Sequence, residues 1–380
     1  MSELDDIFMK RAIKLAWEAQ GWTAPNPLVG CVIVKDGRII GEGKHERFGE
    51  PHAEINALKK CAESPEGATV YVTLEPCVHY GKTPPCVNAL MDAKVSRVVI
   101  GSKDPNPKAA GGADYLEQRG VRVDRGIMNP EAISLNAAFY KTITTGLPLL
   151  TIKWAMTMDG KIATTSGDSQ WVSGDSSRKY VHFLRGTHRA VMIGSGTLLA
   201  DNPAMNCRIS GLPQPLRVFI DGRLRFPLDA KALTVSPAGD CVIVCLEEFA
   251  RPDTIKALED RGAKIIVAPQ KKPSDGGTER IDLIWVLRYL AREYNVNSVL
   301  SESGGGLNGA LFDSKLPDRI EAFIAPKVCG GRGSTPVAGN GALVMADAYA
   351  FRDVSISKTG DDIHVSASVG ADDFTAAGRF

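Results

Sequence analysis

The chain has 380 residues, more than one hydrophobic core usually supports, so two domains are expected. Lys and Arg number 45 against 44 Asp and Glu, a net charge of +1 with the signs interspersed, which argues against nucleic acid as a partner. No apolar run is long enough to span a bilayer, and the acidic opening residues carry no signal-peptide pattern, so a cytoplasmic protein with its cysteines free or on metal is expected.

In chain order, Phe8, Ala12, Leu15, Ala16 and Ala19 recur at helical spacing and predict an amphipathic helix. Strand-like residues 31–35 and 38–40 flank Asp36-Gly37, a hairpin signal. A helix over about 53–62 precedes a strand at 69–73, and a second helix starting at Cys86 precedes a strand at 97–100. A helical pattern ends around Tyr140-Lys141, and Thr145-Gly146-Leu147-Pro148 marks a boundary between domains 1–146 and 147–380. Beyond it, strand-like runs at 149–155, 190–194, 217–220, 241–244, 264–267 and 297–300 alternate with helical patterns. That alternation predicts a largely parallel, doubly wound α/β sheet, which binds ligands at the carboxyl ends of its strands. Ser303-Gly304-Gly305-Gly306 stands at such an end, before a helix expected from Leu307. Glycines there would let backbone amides approach a phosphate, although the strict G-x-G-x-x-G spacing is absent. Residues 354–357 and 363–365 alternate weakly, as edge strands do.

His52-Ala53-Glu54, Pro76-Cys77 and Cys86 carry the chemistry. One imidazole and two thiolates give zinc three protein ligands and leave a fourth position open, as in a catalytic site. With Glu54 beside a ligand, this is the H-x-E…P-C pattern of zinc-dependent nucleobase deaminases. Pro51 and Pro84-Pro85 prepare helix starts, and a thiol at a helix N-terminus is readily held as thiolate. Zinc so held brings the pKa of a water to about 7, and Glu54 is placed to carry that proton to a departing amine. A structural zinc with His79 as fourth ligand is the competing reading. The eight residues between Cys77 and Cys86, in place of two, suggest a loop that also grips substrate through His79 and Lys82. Cys31, Cys241 and Cys245 lie in apolar runs and are core candidates, while Cys61, Cys207 and Cys329 carry no motif.

Together with Pro25-Asn26-Pro27-Leu28-Val29-Gly30, Gly41-Glu42-Gly43-Lys44-His45 and Asp104-Pro105-Asn106, the segment Glu75-Pro76-Cys77-Val78-His79-Tyr80-Gly81-Lys82-Thr83-Pro84-Pro85-Cys86 resembles the bacterial bifunctional riboflavin-biosynthesis deaminase–reductases. The resemblance continues through Lys153-Trp154-Ala155, Ser169-Gln170-Trp171, Val181-His182-Phe183-Leu184-Arg185, Gly194-Ser195-Gly196-Thr197 and Glu302-Ser303-Gly304-Gly305-Gly306-Leu307. Arg189 departs from the family's usual Asp, at a position with no assigned role.

That resemblance implies an N-terminal cytidine-deaminase-like α/β/α domain and a C-terminal dihydrofolate-reductase-like doubly wound α/β domain. It implies zinc on His52, Cys77 and Cys86, Glu54 as acid/base, and substrate contacts from Asn26, His45, His79, Lys82, Asp104 and Asn106. In the second domain it implies Lys153, Asp201 and Glu302 around the reacting ribose carbon, with Ser169 and Met205 also on the substrate. Arg185 and Arg208 would clamp the ribose phosphate, since guanidinium matches phosphate bidentately. Ala155, Trp171, Thr197 and the run Gly304, Gly305, Gly306, Leu307, Asn308, Gly309, Ala310 would line NADPH. Some alternatives are blander: solvated arginines, a core Trp171, and an Asp201 that only caps a turn. The implied reaction is deamination of a diaminopyrimidinone ribosylamine phosphate, then NADPH-dependent reduction of its ribosyl group to ribityl. A homodimer through the reductase domain, near apolar Phe323-Ile324, is expected. The rivals are a nucleic-acid-editing deaminase with an RNA-binding second half, and a second half that binds ligand without reducing it.

Overall fold

Phe8, Met9, Ala12, Leu15 and Ala16 form the buried face of the first helix, α1 (Glu3–Trp17), whose first turn carries Glu3, Asp5 and Asp6, favourable at a helix N-terminus. The computed structural model describes residues 3–80, 84–235, 241–271, 280–369 and 374–380, so Lys82 lies outside the described residues. The chain divides into two compact units: residues 1–146 with 373–380, and residues 147–372.

In the first unit α1 is followed by β1 (Gly30–Lys35), β2 (Arg38–Lys44), α2 (Ala53–Lys59), β3 (Thr69–Leu74), α3 (Cys86–Asp92), β4 (Arg97–Ser102), α4 (Gly112–Glu117), β5 (Arg122–Arg125), α5 (Asn129–Leu135) and α6 (Ala137–Thr145). The sheet order is β2-β1-β3-β4-β5; β1 runs antiparallel to β2 and β3, and the last three strands are parallel. Asp36 (φ 49°) and Gly37 (φ 72°) make the two-residue turn that matches hairpin twist. At Gly30 a Cβ would stand 1.9 Å from the Ala12 carbonyl oxygen, so only glycine lets α1 lie this close to the sheet. Helix α2 stops short of residue 62 because the Ala62 N–H turns back to the Ile40 carbonyl at 2.8 Å. Helix α6 outlasts the expected stop at Tyr140-Lys141, ending at Gly146 in the left-handed conformation.

The second unit contains β6 (Leu149–Thr157), α7 (Asp175–Thr187), β7 (Ala190–Gly194), α8 (Ser195–Asp201), β8 (Leu216–Ile220), α9 (Lys231–Thr234), β9 (Cys241–Leu246), α10 (Pro252–Glu259), β10 (Ala263–Ala268), β11 (Gln270–Lys271), β12 (Arg280–Ile281), α11 (Leu283–Tyr294), β13 (Ser298–Ser301), α12 (Gly305–Asp313), β14 (Arg319–Ala325), β15 (Phe351–Thr359) and β16 (Asp362–Val369). Nine strands form one sheet in the order β10-β9-β8-β7-β13-β6-β14-β16-β15. It is parallel except where β16 joins β14 and β15. Near-continuous apolar strands such as β9, buried at every position, suit a sheet covered on both faces.

Three expectations change. Helix α12 begins at Gly305, two residues before Leu307, placing Gly305 and Gly306 in its first turn. Phe323 is fully buried in β14, between β6 and β16, so its apolar character serves the core and cannot face a partner. Residues 374–380, assigned with the second domain on pattern alone, belong to the first unit, because Phe374 and Ala377 pack on its apolar core.

His188 ends α7 with Nδ1 2.8 Å from the Leu184 carbonyl and Nε2 3.0 Å from the Thr151 hydroxyl. A carbonyl can only accept, so the proton is on Nδ1 and the neutral ring accepts from Thr151. Burial, opposed by the Leu184 carbonyl and aided by the Arg319 charge, holds its pKa below 6.5. The unfolded chain therefore binds a proton that the folded unit refuses, and stability falls as pH drops below about 6.5. Urea unfolding at pH 5 and pH 7 should show a lower midpoint at pH 5, with a smaller difference in His188→Gln.

Candidate active sites

In the first unit the H-x-E segment and both cysteines converge at two helix starts. His52 is the N-cap of α2 in extended backbone and makes no capping bond with its side chain, leaving the ring free to turn inward. Its Nδ1 lies 3.2 Å from Cys86 Sγ and 3.6 Å from Cys77 Sγ, and the three ligand atoms fall within 4.8 Å of one another. Tetrahedral zinc with bonds of about 2.0–2.3 Å sets its ligand atoms roughly 3.5–3.8 Å apart, so this donor set fits the ion. Among the described residues His79 is not part of that group. The Cys86 N–H, at the start of α3 where no intrahelical acceptor exists, donates to Cys77 Sγ at 3.4 Å. Cys86 first, then His52 and that N–H, draw Cys77 toward thiolate.

A cavity of about 240 Å³ opens beside these atoms and is lined by Asn26, His45, His52, Glu54, Cys77, His79, Asp104 and Asn106, among others. Glu54 is 3 % exposed, and burial raises its carboxyl above the ordinary range against the pull of His52. His45 Nδ1 must donate to the Pro51 carbonyl (3.1 Å), so Nε2 accepts from the Asn26 amide (3.2 Å); both nitrogens are engaged and His45 orients Asn26. Among the described residues His79 Nδ1 is buried without a hydrogen-bond partner. Asp104 is pushed up to about 7, by burial first and then by the charges of Glu75 and Cys77 against the Asn106 N–H.

The second unit gathers its polar residues where β6, α7 and β13 meet. Arg185 grips Glu302 in a bidentate pair (2.6 and 2.9 Å) and gives a third N–H to the Asn206 carbonyl at 3.2 Å. Arg185 is therefore a poor phosphate clamp: its fork is already filled by a buried carboxylate. Arg208 is exposed and has no ion pair or hydrogen bond among the described residues, although its charge helps lower the pKa of His182 after burial and Arg185. Lys153 Nζ lies 3.9 Å from Glu302. Burial, aided by Arg185 and opposed by Glu302, lowers the Lys153 pKa. Burial pushes the Glu302 carboxyl up, but Arg185, Lys153 and His182 together bring it below its ordinary value. The Ser169 hydroxyl donates to Asp201 at 3.2 Å.

Met205 is 2 % exposed in an apolar cluster with Leu184 and Ile193, so its side chain belongs to the core and only its backbone can meet a substrate. Trp171 is 62 % exposed with the Arg178 guanidinium 4.6 Å over its ring, which makes it no core aromatic. The Gly304 N–H donates to Thr197 Oγ1 at 3.1 Å, joining two of the expected cofactor positions. The glycine run splits by environment. A Cβ at Gly305 would meet the Thr335 carbonyl at 2.5 Å and one at Gly309 the Ala338 carbonyl at 2.2 Å, so these two serve packing against the chain at 335–339. Gly306 faces open space, as does Gly196, so a Cβ at either position would meet nothing within 4 Å. Asn308 is fully buried and spends its amide on the Ser303 and Pro336 carbonyls, so its side chain holds the loop and not the cofactor. Leu307 and Ala310 pack partly on the core, and Ala155 pairs with Phe323 across the sheet.

Both units match known protein families. Residues 148–365 match the RibD C-terminal domain, and residues 2–102 the cytidine and deoxycytidylate deaminase zinc-binding region. The riboflavin biosynthesis protein RibD of Actinobacillus pleuropneumoniae is 42% identical over 365 residues, covering 96% of this chain and 94% of its own. The chain belongs to the RibD family. The Acinetobacter baumannii RibD structure superposes with a TM-score of 0.86 at 36% identity, covering 97% of this chain and 99% of its own. A Thermotoga maritima diaminohydroxyphosphoribosylaminopyrimidine deaminase/5-amino-6-(5-phosphoribosylamino)uracil reductase gives 0.83 at 32% identity, with the same coverage. RibD membership makes the chain a bifunctional deaminase and reductase of riboflavin biosynthesis, with a zinc-binding deaminase fold and a nicotinamide-dependent reductase fold. It does not favour the nucleic-acid-editing alternative. Among the described residues no helix is long and apolar enough to cross a membrane.

Sequence reasoning gave Glu75 no role. Its carboxylate accepts from the backbone N–H groups of Asp104, Gly111 and Ala113 (3.3, 3.1 and 3.1 Å), so it fixes the far wall of the cavity. Its place beside Pro76-Cys77 was the available signal. Phe139, which lines the same cavity from α6, has none.

Proposed function

We propose that the first unit deaminates 2,5-diamino-6-ribosylamino-4(3H)-pyrimidinone 5′-phosphate and that the second reduces the deaminated ribosylamine to its ribityl form with NADPH. The convergence of His52, Cys77 and Cys86 beside a buried Glu54 in one cavity carries the first half. Those three ligands would hold zinc, which would make a water acidic enough to ionise near neutral pH. Glu54 takes the proton from the attacking water and delivers it to the amine that leaves as ammonia. Asn26, oriented by His45, together with His79, Asp104 and Asn106, holds the pyrimidine; Lys82, outside the described residues, is a further substrate contact by resemblance.

Thr197, Gly304 and Gly306, with Ala155 and Trp171, would hold NADPH, which would supply hydride to the open-chain ribosyl carbon. Glu302 stays ionised against Arg185 and holds Lys153, which gives the accompanying proton. Ser169 and Asp201 bind the ribose hydroxyls, and Arg208, without an ion pair among the described residues, takes the 5′-phosphate. Arg208→Ala should raise the reductase KM about tenfold with little change in kcat, the signature of binding shared by ground and transition states. An unchanged KM removes Arg208 from the phosphate site.

The enzyme works in the cytoplasm as a homodimer paired along β15. That outer strand exposes Phe351, Val354 and Ile356 by 40 %, 53 % and 70 %, an apolar edge that a monomer would ordinarily blunt. A monomeric mass by light scattering would defeat the dimer. The reaction itself is tested by product mass spectra from zinc-loaded protein with the diaminopyrimidinone substrate, without and with NADPH. Exchange of an amine for oxygen, then gain of two hydrogens only with cofactor, is expected. No mass change in either sample would reject the substrate.

A further inference from the structure

We infer that the short helical turn Phe374–Gly378 is a positioning element of the deaminase cavity. The inference rests on the deaminase reading of that cavity. The turn follows the second unit in sequence but packs in the first, with Phe374 and Ala377 against the core beneath α5 and α6. Its Gly378 carbonyl accepts two hydrogen bonds: the Lys103 backbone N–H at 3.0 Å and the Asn129 side-chain amide at 3.0 Å. The same Asn129 amide also donates to the Gly101 carbonyl at 2.9 Å, tying the turn to the end of β4.

Lys103 is held on its other side as well. Its carbonyl accepts from the Tyr140 hydroxyl at 2.7 Å, and the Tyr140 ring is fully buried. Both backbone polar groups of this residue are therefore fixed, one by the 374–378 turn and one by α6. The next residue is Asp104, which lines the cavity with Asn106 and accepts the Asn106 N–H at 2.8 Å. Glu75 secures the Asp104 amide and Tyr140 the Lys103 carbonyl, so without the turn this loop keeps those two anchors and loses the one at the Lys103 N–H. The fit at Gly378 is close: a Cβ there would stand 2.8 Å from Ile133 Cγ1 and from two ring carbons of Tyr140. Any larger residue must push the ring whose hydroxyl holds Lys103. The turn thus orients Asp104 and Asn106 without touching substrate.

Two full-enzyme variants test this: a chain ending at residue 373, and Gly378→Ala. In both, the deaminase KM should rise about tenfold with kcat within about twofold, because a ground-state contact loses its register while the zinc ligands and Glu54 stay in place. Zinc content and the reductase constants should equal those of the wild type. Hydrogen–deuterium exchange at residues 103–106 should speed up, with the segment around His52 unchanged. That readout needs no substrate, so it separates failure of this inference from failure of the deaminase assignment. Tyr140→Phe, which keeps the ring and removes only the hydroxyl, should reproduce the KM effect in part. Unchanged KM and unchanged exchange in Gly378→Ala would overturn the inference. So would a parallel loss of zinc and of kcat in both variants, which would mark the turn as a general support of the fold. If the shortened chain does not fold, Gly378→Ala alone decides.

Discussion

Glu54→Gln is expected to lower deamination by about 10²–10⁴-fold while leaving reduction of pre-deaminated substrate at the wild-type rate. Glutamine keeps the volume and planarity of the side chain, so the change removes a proton carrier without opening a cavity in a position that is 3 % exposed. Glu54 itself belongs to no ligand set: the sulfur and nitrogen atoms that close on one point come from His52, Cys77 and Cys86, so zinc content should be unchanged. Its surroundings already favour a carboxyl that exchanges protons, because burial opposes the charged form. Ammonia release and cofactor oxidation, assayed separately, give the comparison. Loss of both activities would refute two independent sites.

Arg185→Met is expected to cost the reductase unit about 3–5 kcal/mol and to abolish reduction, because it strands a buried carboxylate. The Glu302 side chain is 8 % exposed, and the remaining cation, Lys153, is 3.9 Å away and not within hydrogen-bond distance. In the wild type, Glu302 has its pKa below the ordinary value, so the pair's stabilisation is present above about pH 4.5 and is lost as pH falls through the folded pKa. In the variant the sign reverses: the stranded carboxylate prefers its proton, and the loss of stability should shrink toward acid pH. Pairing the change with Glu302→Leu should recover much of the stability, since apolar residues of similar size replace a buried ion pair well, but none of the activity. Urea unfolding across pH 4–8 measures this. A midpoint unaffected by Arg185→Met would mean that Glu302 finds its compensation elsewhere.

The zinc site was legible because its chemistry is local. His52 and Glu54 share one helix start, Cys77 follows a strand end, and Cys86 follows two prolines, so residue type and spacing alone state the ligand set. Strand and hairpin assignments such as Asp36-Gly37 were legible for the same reason. The reductase site was legible only as a set of members. Arg185 and Glu302 are 117 positions apart, and nothing in either neighbourhood says that one guanidinium will be consumed by one carboxylate while another, Arg208, has no ion pair among the described residues. The glycine run looked uniform, yet Gly305 and Gly309 face the carbonyls of Thr335 and Ala338 while Gly306 faces open space.

The sequence by itself determined the chemistry on offer: which side chains can bind zinc, move a proton or meet a phosphate, and two α/β halves to carry them. Periodicity and short-range spacing encode those properties directly, within a turn or a strand. Only the tertiary structure decided which of those groups remain available. Hydrogen bonds and close contacts between distant segments, Gly378 on Lys103 and Glu302 on Arg185 among them, saturate some polar groups and leave others facing the cavity. A buried polar group takes whatever partner the fold brings to it, and that partner is set by packing and not by its neighbours in the chain.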